Sequence, residues 1–206
     1  MKLHYGTTSP YVRKVTVLAH ETGLHERIER VDTLPWDSAT DIATSNPVGK
    51  VPALIVDDGT AIYDSAVIVD YLDRQHNGPR LLPAEDPQRT DVLCRMALAD
   101  GAMEAIILVF SELTRRPEHL QWDYWIDRQQ NKVRRSLDAI EADPANRAGT
   151  DRFDLGHIAT ACCVGWIDFR GEMLGVDWRE GRPQLGRWFD EVSQRESMLH
   201  TVPVAH

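Results

Sequence analysis

Two short stretches of the chain carry residue types that could do chemistry. In "TTSPYVRKV" Ser9 stands immediately before Pro10. Proline suits the first position of a helix, so Ser9 falls at the N-cap, where its hydroxyl and the first backbone N–H groups meet at the positive end of the helix dipole. That combination suits an anion, and it equally describes a plain cap. Thr7 and Thr8 are close enough to stand in for Ser9, and Tyr5 is expected to pack inward from the preceding strand. Arg13 and Lys14, one turn further on, either add positive potential or are ordinary surface charges. The second stretch, "NPVGKVPALIVDDGTAIYDS", places Pro52 at the start of a strand and ends on Asp64-Ser65. Proline has no N–H and can open a strand but not sit within a central ladder. Asp and Ser favour helix N-caps, again an anion-binding end or an ordinary cap. Lys50 reads as a polar contact for a ligand or as a solvated lysine.

The elements that must position these residues are legible. "KLHY" predicts a strand, Pro10 to Thr22 a helix, "RIERVD" a strand, and Trp36 to Ser45 a helical or irregular piece. Ala53 to Asp57 and Thr60 to Tyr63 predict a hairpin, and Asp58-Gly59 between them suits a two-residue type I′ turn. "AVIVDYLDRQH" then predicts a helix, for an order βαβαββα. The Pro-rich "NGPRLLPAEDPQR" reads as a linker, with Asp86 as N-cap and Pro87 at the first helical position. Beyond it the pattern is helical throughout. Val92, Met96, Ala99, Met103, Ile106, Phe110 and Leu113 fall on one helix face, as do Leu155, Ile158, Cys162, Gly165 and Phe169, and both stripes read as core. The expected division is residues 1–76, a linker at 77–90, and an all-helical domain at 91–206.

Composition narrows the class. The chain of 206 residues is 42% apolar and 27% charged, with a net charge of −9. That acidity disfavours nonspecific binding to nucleic acid or anionic membrane. No apolar run approaches the roughly 18 residues a membrane span needs, and "MKLHYG" leads directly into structure, so the expected compartment is the cytosol. Cys94, Cys162 and Cys163 offer no C-x-x-C or zinc spacing; they are expected to be buried small hydrophobes, and no metal is expected.

The βαβαββα unit, "NPVGKVPAL" before the hairpin, "YDS" opening the next helix, "LADGAMEAI" and "FDLGHIATACCVGW" together resemble the glutathione S-transferase family over nearly the whole chain. The resemblance implies a thioredoxin-like α/β domain followed by an all-α domain. It also implies a cis bond before Pro52 that turns the Val51 N–H and C=O toward the cleft, to pair with the extended backbone of glutathione as in β-strand addition. On the same ground the Ser65 N–H and hydroxyl suit the γ-glutamyl carboxylate, Asp64 suits the ammonium group, and Ser9 suits the thiol.

The chemistry that Ser9 would then serve is definite. An unperturbed thiol has a pKa of about 8.5 and only its thiolate is a good nucleophile. Lowering it by about two units means roughly 2.7 kcal/mol of preferential thiolate binding, within reach of one charge-assisted hydrogen bond and a helix dipole. Serine stands in "SPYV" where related thiol-disulfide enzymes carry Cys-Pro-Tyr-Cys, and serine forms no mixed disulfide, which disfavours a glutaredoxin-like activity. An isomerase-type S-S-C-S run is absent after the first strand. Expected partners are glutathione as co-substrate, a small hydrophobic electrophile between the domains against Met103, Ile107, Trp166 and Trp122, and a second copy of the chain. A non-catalytic binding module, or a glutathione-dependent isomerase or dehalogenase, stays open. One departure concerns His157, which stands where the family usually has the Asp of a capping box begun by Asp154. It puts that cap's hydrogen bonds in question.

Overall fold

The computed structural model describes residues 1–204. Its strands and helices run β1 (Lys2–Tyr5), α1 (Pro10–Glu21), β2 (Glu29–Asp32), α2 (Ile42–Ser45), β3 (Ala53–Ile55), β4 (Ala61–Ile62) and α3 (Ser65–Leu72). Then follow α4 (Gln88–Arg115), α5 (Asp123–Ala142), α6 (Leu155–Arg170), α7 (Pro183–Val192) and α8 (Glu196–Leu199). Among the described residues no helix is long and apolar enough to cross a membrane.

The first compact unit holds residues 1–84 together with residues 195–204. Its four strands lie in the order β2-β1-β3-β4, with β1 parallel to β2 and antiparallel to β3, and β3 antiparallel to β4. The inner strands β1 and β3 carry Leu3, Ala53 and Leu54, all fully buried, whereas β2 is an exposed edge. Valines and leucines of α1 and Ile68, Val69 and Leu72 of α3 complete this core. The element order is the βαβαββα that the alternating runs predict.

Three details of this unit correct or refine the expectation. The hairpin does not use a two-residue turn, because type I′ needs positive φ at both central residues and only Gly59, at φ +87°, has it. Instead Asp57 to Gly59 form a three-residue loop, closed by a Gly59 N–H to Val56 C=O bond of 2.9 Å and a Val56 N–H to Thr60 C=O bond of 3.0 Å. The piece expected to be helical or irregular over 36–45 is irregular as far as residue 41 and helical at Ile42–Ser45. The chain after α3 is pinned rather than loose. Buried Asp73 accepts the Leu81 and Leu82 N–H groups at 2.8 and 3.1 Å and the Arg80 Nε–H at 2.9 Å.

The expected boundary at 91–206 is corrected at its far end, since residues 195–204 pack with the first unit. The cause is polar. Arg195 donates to both Glu21 oxygens at 2.9 and 2.7 Å, Ser197 donates to Glu21 at 2.5 Å, and Arg13 donates to the Met198 carbonyl at 3.1 Å. Burial is the largest influence on the Glu21 carboxyl and opposes ionisation, but the Arg195 and Ser197 hydrogen bonds hold it below the usual carboxylate range. Arg13 and Lys14 are therefore not surface charges: both are buried, Lys14 completely.

The second unit, residues 85–194, packs α4 against α5 and α6. The predicted stripe along α4 is buried at Val92, Met96, Ala99, Met103 and Ile106, and partly exposed at Phe110 and Leu113. Helix α6 is buried on every side from Leu155 to Ile167, which makes it the axis of the unit. Helix α4 starts one residue later than predicted, with Pro87 at the cap position, while the Asp86 carboxylate accepts the Thr90 N–H at 3.2 Å and hydroxyl at 2.5 Å. Cys162 and Cys163 are buried as expected, but Cys94 is exposed. It follows Val92 by two positions, which on a helix turns it away from the Val92–Met96 face.

The cap of α6 is intact despite His157. The Asp154 carboxylate accepts the Gly156 and His157 N–H groups at 3.0 and 3.2 Å, and the His157 Nδ1 lies 3.2 Å from the Asp154 N–H. The same carboxylate takes Arg95 and Arg152, each at 2.8 Å. Burial, the largest influence, opposes its ionisation, yet the hydrogen bonds and charges of His157 and Arg95 hold it well below the usual range.

Candidate glutathione site

Sheet register gathers the sequence-predicted residues of the first unit at one end of the sheet. His4 pairs with Ala53 and Leu54 with Ile62, so the loop after β1, the residues before β3 and the residues after β4 all leave the sheet on the same side. Those segments contain Ser9, Lys50 to Pro52, and Asp64-Ser65. Gly6 is the junction. A Cβ on Gly6 would lie 3.4 Å from the Val51 Cγ2 and 3.8 Å from the Ser9 Cβ, which places the two loops within side-chain reach of each other.

Ser9 caps α1 with extended backbone, its Oγ accepting the Val12 N–H at 3.3 Å. As an acceptor in that bond it keeps its own proton to donate, and it is only partly covered. Thr7 and Thr8 are equally half-exposed in the same loop. Tyr5 is half-exposed rather than packed inside, with the Arg30 guanidinium 5.0 Å above its ring.

Pro52 is buried and the Val51–Pro52 bond is cis. Val51 itself is partly exposed, and neither its N–H nor its C=O has a hydrogen-bond partner among the described residues. Lys50 is exposed, but its carbonyl is held by the Asn46 amide at 2.7 Å. Asn46 is a residue that sequence reasoning passed over. It is 3% exposed, accepts the Val48 N–H at 3.1 Å and thus braces the loop that presents Val51. Its only outward sign was its place in "NPVGKVP", where Asn-Pro marks a turn.

Asp64 is the N-cap of α3, one carboxylate oxygen accepting the Ala66 N–H at 3.0 Å. Ser65 is the first helical residue and is 3% exposed. Its N–H belongs to the first turn, whose donors have no partner inside a helix. A positive helix end beside an exposed carboxylate can take the two charged groups of one amino acid.

The residues expected to contact an apolar substrate lie in the second unit and differ in exposure. Met103 is wholly buried and Trp166 is 3% exposed, its ring edge-on to Phe110 at 5.6 Å, while Ile107 is partly exposed on the same α4 face. Trp122 is 59% exposed and sits against Tyr124 and Trp125.

A thioredoxin-like unit with a mixed four-stranded sheet, followed by a helical unit, defines the glutathione S-transferase fold. The chain belongs to that family: residues 8–75 match the glutathione S-transferase N-terminal domain and residues 123–191 the C-terminal domain. Among its relatives is the uncharacterized GST-like protein YibF of Escherichia coli K12, 35% identical over 98% of both chains. A glutathione transferase family member from Pseudomonas fluorescens Pf-5, solved with bound glutathione, is 44% identical over 99% of each chain with a TM-score of 0.90. A second structure from that organism, with bound S-(propanoic acid)-glutathione, is 43% identical over 100% of each chain with a TM-score of 0.88.

Proposed function

We propose that the protein is a glutathione transferase that binds glutathione on its first unit, ionises the thiol at Ser9 and adds it to a small apolar electrophile. One observation carries the reading. Register and the Gly6 junction gather a capping hydroxyl, an unpartnered Val51 amide and a helix N-terminus beside a carboxylate at one end of the sheet. The Val51 N–H and C=O pair with the cysteinyl backbone of glutathione, Ser65 and the start of α3 take the γ-glutamyl carboxylate, and Asp64 takes the ammonium. Lys50 lies beside the tripeptide. The Ser9 hydroxyl donates to the sulfur, the thiol proton passes to solvent, and no general base is needed. Glutathione and a glutathione conjugate in relatives at 43–44% identity support the same site. Family membership supports a cytosolic homodimer.

The test is calorimetric binding of glutathione to the wild type and to Asp64→Asn. Asparagine keeps the cap acceptor for Ala66 but loses the charge, so affinity should fall about tenfold while stability moves by only a few tenths of a kcal/mol. Turnover is then read with 1-chloro-2,4-dinitrobenzene, in which the sulfur bonds to the ring carbon and chloride leaves, together with a set of unsaturated carbonyl compounds. Glutathione binding without turnover of any of them would favour the binding module, and absence of binding would overturn the site.

A further inference from the structure

Arg170 stands in the last turn of α6, where the helix dipole favours a cation but supplies no acidic partner for its guanidinium. Its guanidinium stacks on Phe110, Phe169 and Trp166, at 4.3, 4.8 and 5.3 Å from the ring centroids. These are cation–π contacts, which hold the guanidinium against the rings. Yet it makes no hydrogen bond or ion pair among the described residues, although the chain carries 32 acidic residues against 23 basic ones. Its Nε is buried with no partner, and burial lowers its pKa. A buried unpartnered donor costs stability. Asp168, two positions earlier on the helix, makes no ion pair with it and accepts the Trp178 Nε1–H at 3.0 Å. Phe110 and Phe169 are partly exposed beside the buried Trp166, and Ile107, one turn before Phe110 on α4, is partly exposed too.

We propose that Arg170 is an anion-recognition residue of the second unit, receiving the carboxylate of a small acid whose apolar body lies on Ile107, Phe110 and Phe169. Only its Nε is buried without a partner, and its two terminal nitrogens, bonded to no described residue, form the fork that matches a carboxylate two-pronged. The inference deepens the proposed function and rests on its reading that the apolar substrate is taken on the helical unit; it narrows that substrate to an acid. Charge complementarity decides the occupant, because an uncharged electrophile would leave the cation unanswered.

The probes are 4-phenylbutanoate and its neutral counterpart 4-phenylbutanamide, titrated by calorimetry into the wild type, Arg170→Gln and Arg170→Lys, with glutathione titrated separately into all three. The wild type should bind the acid at least about tenfold more tightly than the amide, as a charge-assisted two-pronged bond implies. Arg170→Gln should erase that preference and leave amide and glutathione binding unchanged, and Arg170→Lys should keep part of it. If Arg170→Gln fails to fold, the acid-to-amide ratio of the wild type, its decline with added salt and its reduction in Arg170→Lys decide the matter. Equal binding of acid and amide by the wild type overturns the proposal. So does a loss of glutathione affinity in Arg170→Gln with the acid preference intact, since the anion would then be glutathione's own carboxylate. A wild type that prefers the acid but does not bind glutathione upholds Arg170 and overturns the transferase reading.

Discussion

The N-termini of α1 and α6 are two solutions to one problem, the satisfaction of the first donors of a helix. At α6 a buried carboxylate caps two N–H groups while His157 answers from the third helical position and Arg95 and Arg152 clamp the acid. At α1 a half-exposed, uncharged hydroxyl accepts a single N–H at 3.3 Å. The first end is saturated and can serve only stability. The second leaves a hydroxyl proton at a positive helix end, which suits an anion. The difference separates a saturated cap from an open one more clearly than the residue types do, since Ser and Asp are both ordinary N-caps.

Breaking the α6 cap should have the largest effect. Asp154→Ala leaves Arg95 and His157 without the acid they surround, and should cost about 3–5 kcal/mol in urea unfolding. A loss of under 1 kcal/mol would show that the cluster is no more than a surface cap. Acid should act in the same direction. The carboxyls of Asp154, Glu21 and Asp73 are all lowered on folding, so the stability they add is present at neutral pH and is lost as pH falls below about 4 through their folded values. His20 differs in its window. Burial first, and then the charges of His25 and His200, whose rings lie 4.2 and 5.5 Å away, lower its pKa. A histidine that resists protonation when folded loses stability as pH drops below the ordinary value of about 6.5, so unfolding followed from pH 7 to 3 should show a shallow decline before the steep one. His20→Asn should remove the shallow part.

Smaller effects sharpen the contrast. Gly59→Ala meets no atom within 4 Å but must adopt φ +87°, and should cost about 1–2 kcal/mol. Ser9→Ala should cost stability by at most about 1 kcal/mol, because it removes one long cap bond. A thiol reagent should modify exposed Cys94 in the folded protein and spare Cys162 and Cys163, whose burial is complete.

Much of this was legible in the sequence because it is local. Ser9-Pro10 and Asp64-Ser65 announce helix starts through their own backbone preferences, and the α4 stripe announces its face through spacing. What escaped depends on contacts distant along the chain. The return of Arg195 to Glu21, the bracing of Lys50 by Asn46 and the clamping of Asp154 by Arg95 have no signature in any single stretch. The Asp58-Gly59 turn was misread for a different reason. The pair permits a type I′ turn, but one further residue in the loop lets Asp58 keep negative φ and leaves the left-handed position to glycine alone. His157 shows the converse, an unusual residue that still closes its cap, its Nδ1 lying 2.8 Å from the Asp154 carboxylate and 3.2 Å from the Asp154 backbone nitrogen.

The most direct test of the open cap is the ionisation of bound glutathione, followed by thiolate ultraviolet absorbance from pH 5 to 9 in the wild type and in Ser9→Ala. The account predicts a midpoint about one to two units below the ordinary thiol value of about 8.5 in the wild type, returning toward that value in Ser9→Ala while glutathione stays bound. Equal midpoints in the two proteins would make Ser9 a plain cap like any other and contradict the role assigned to it.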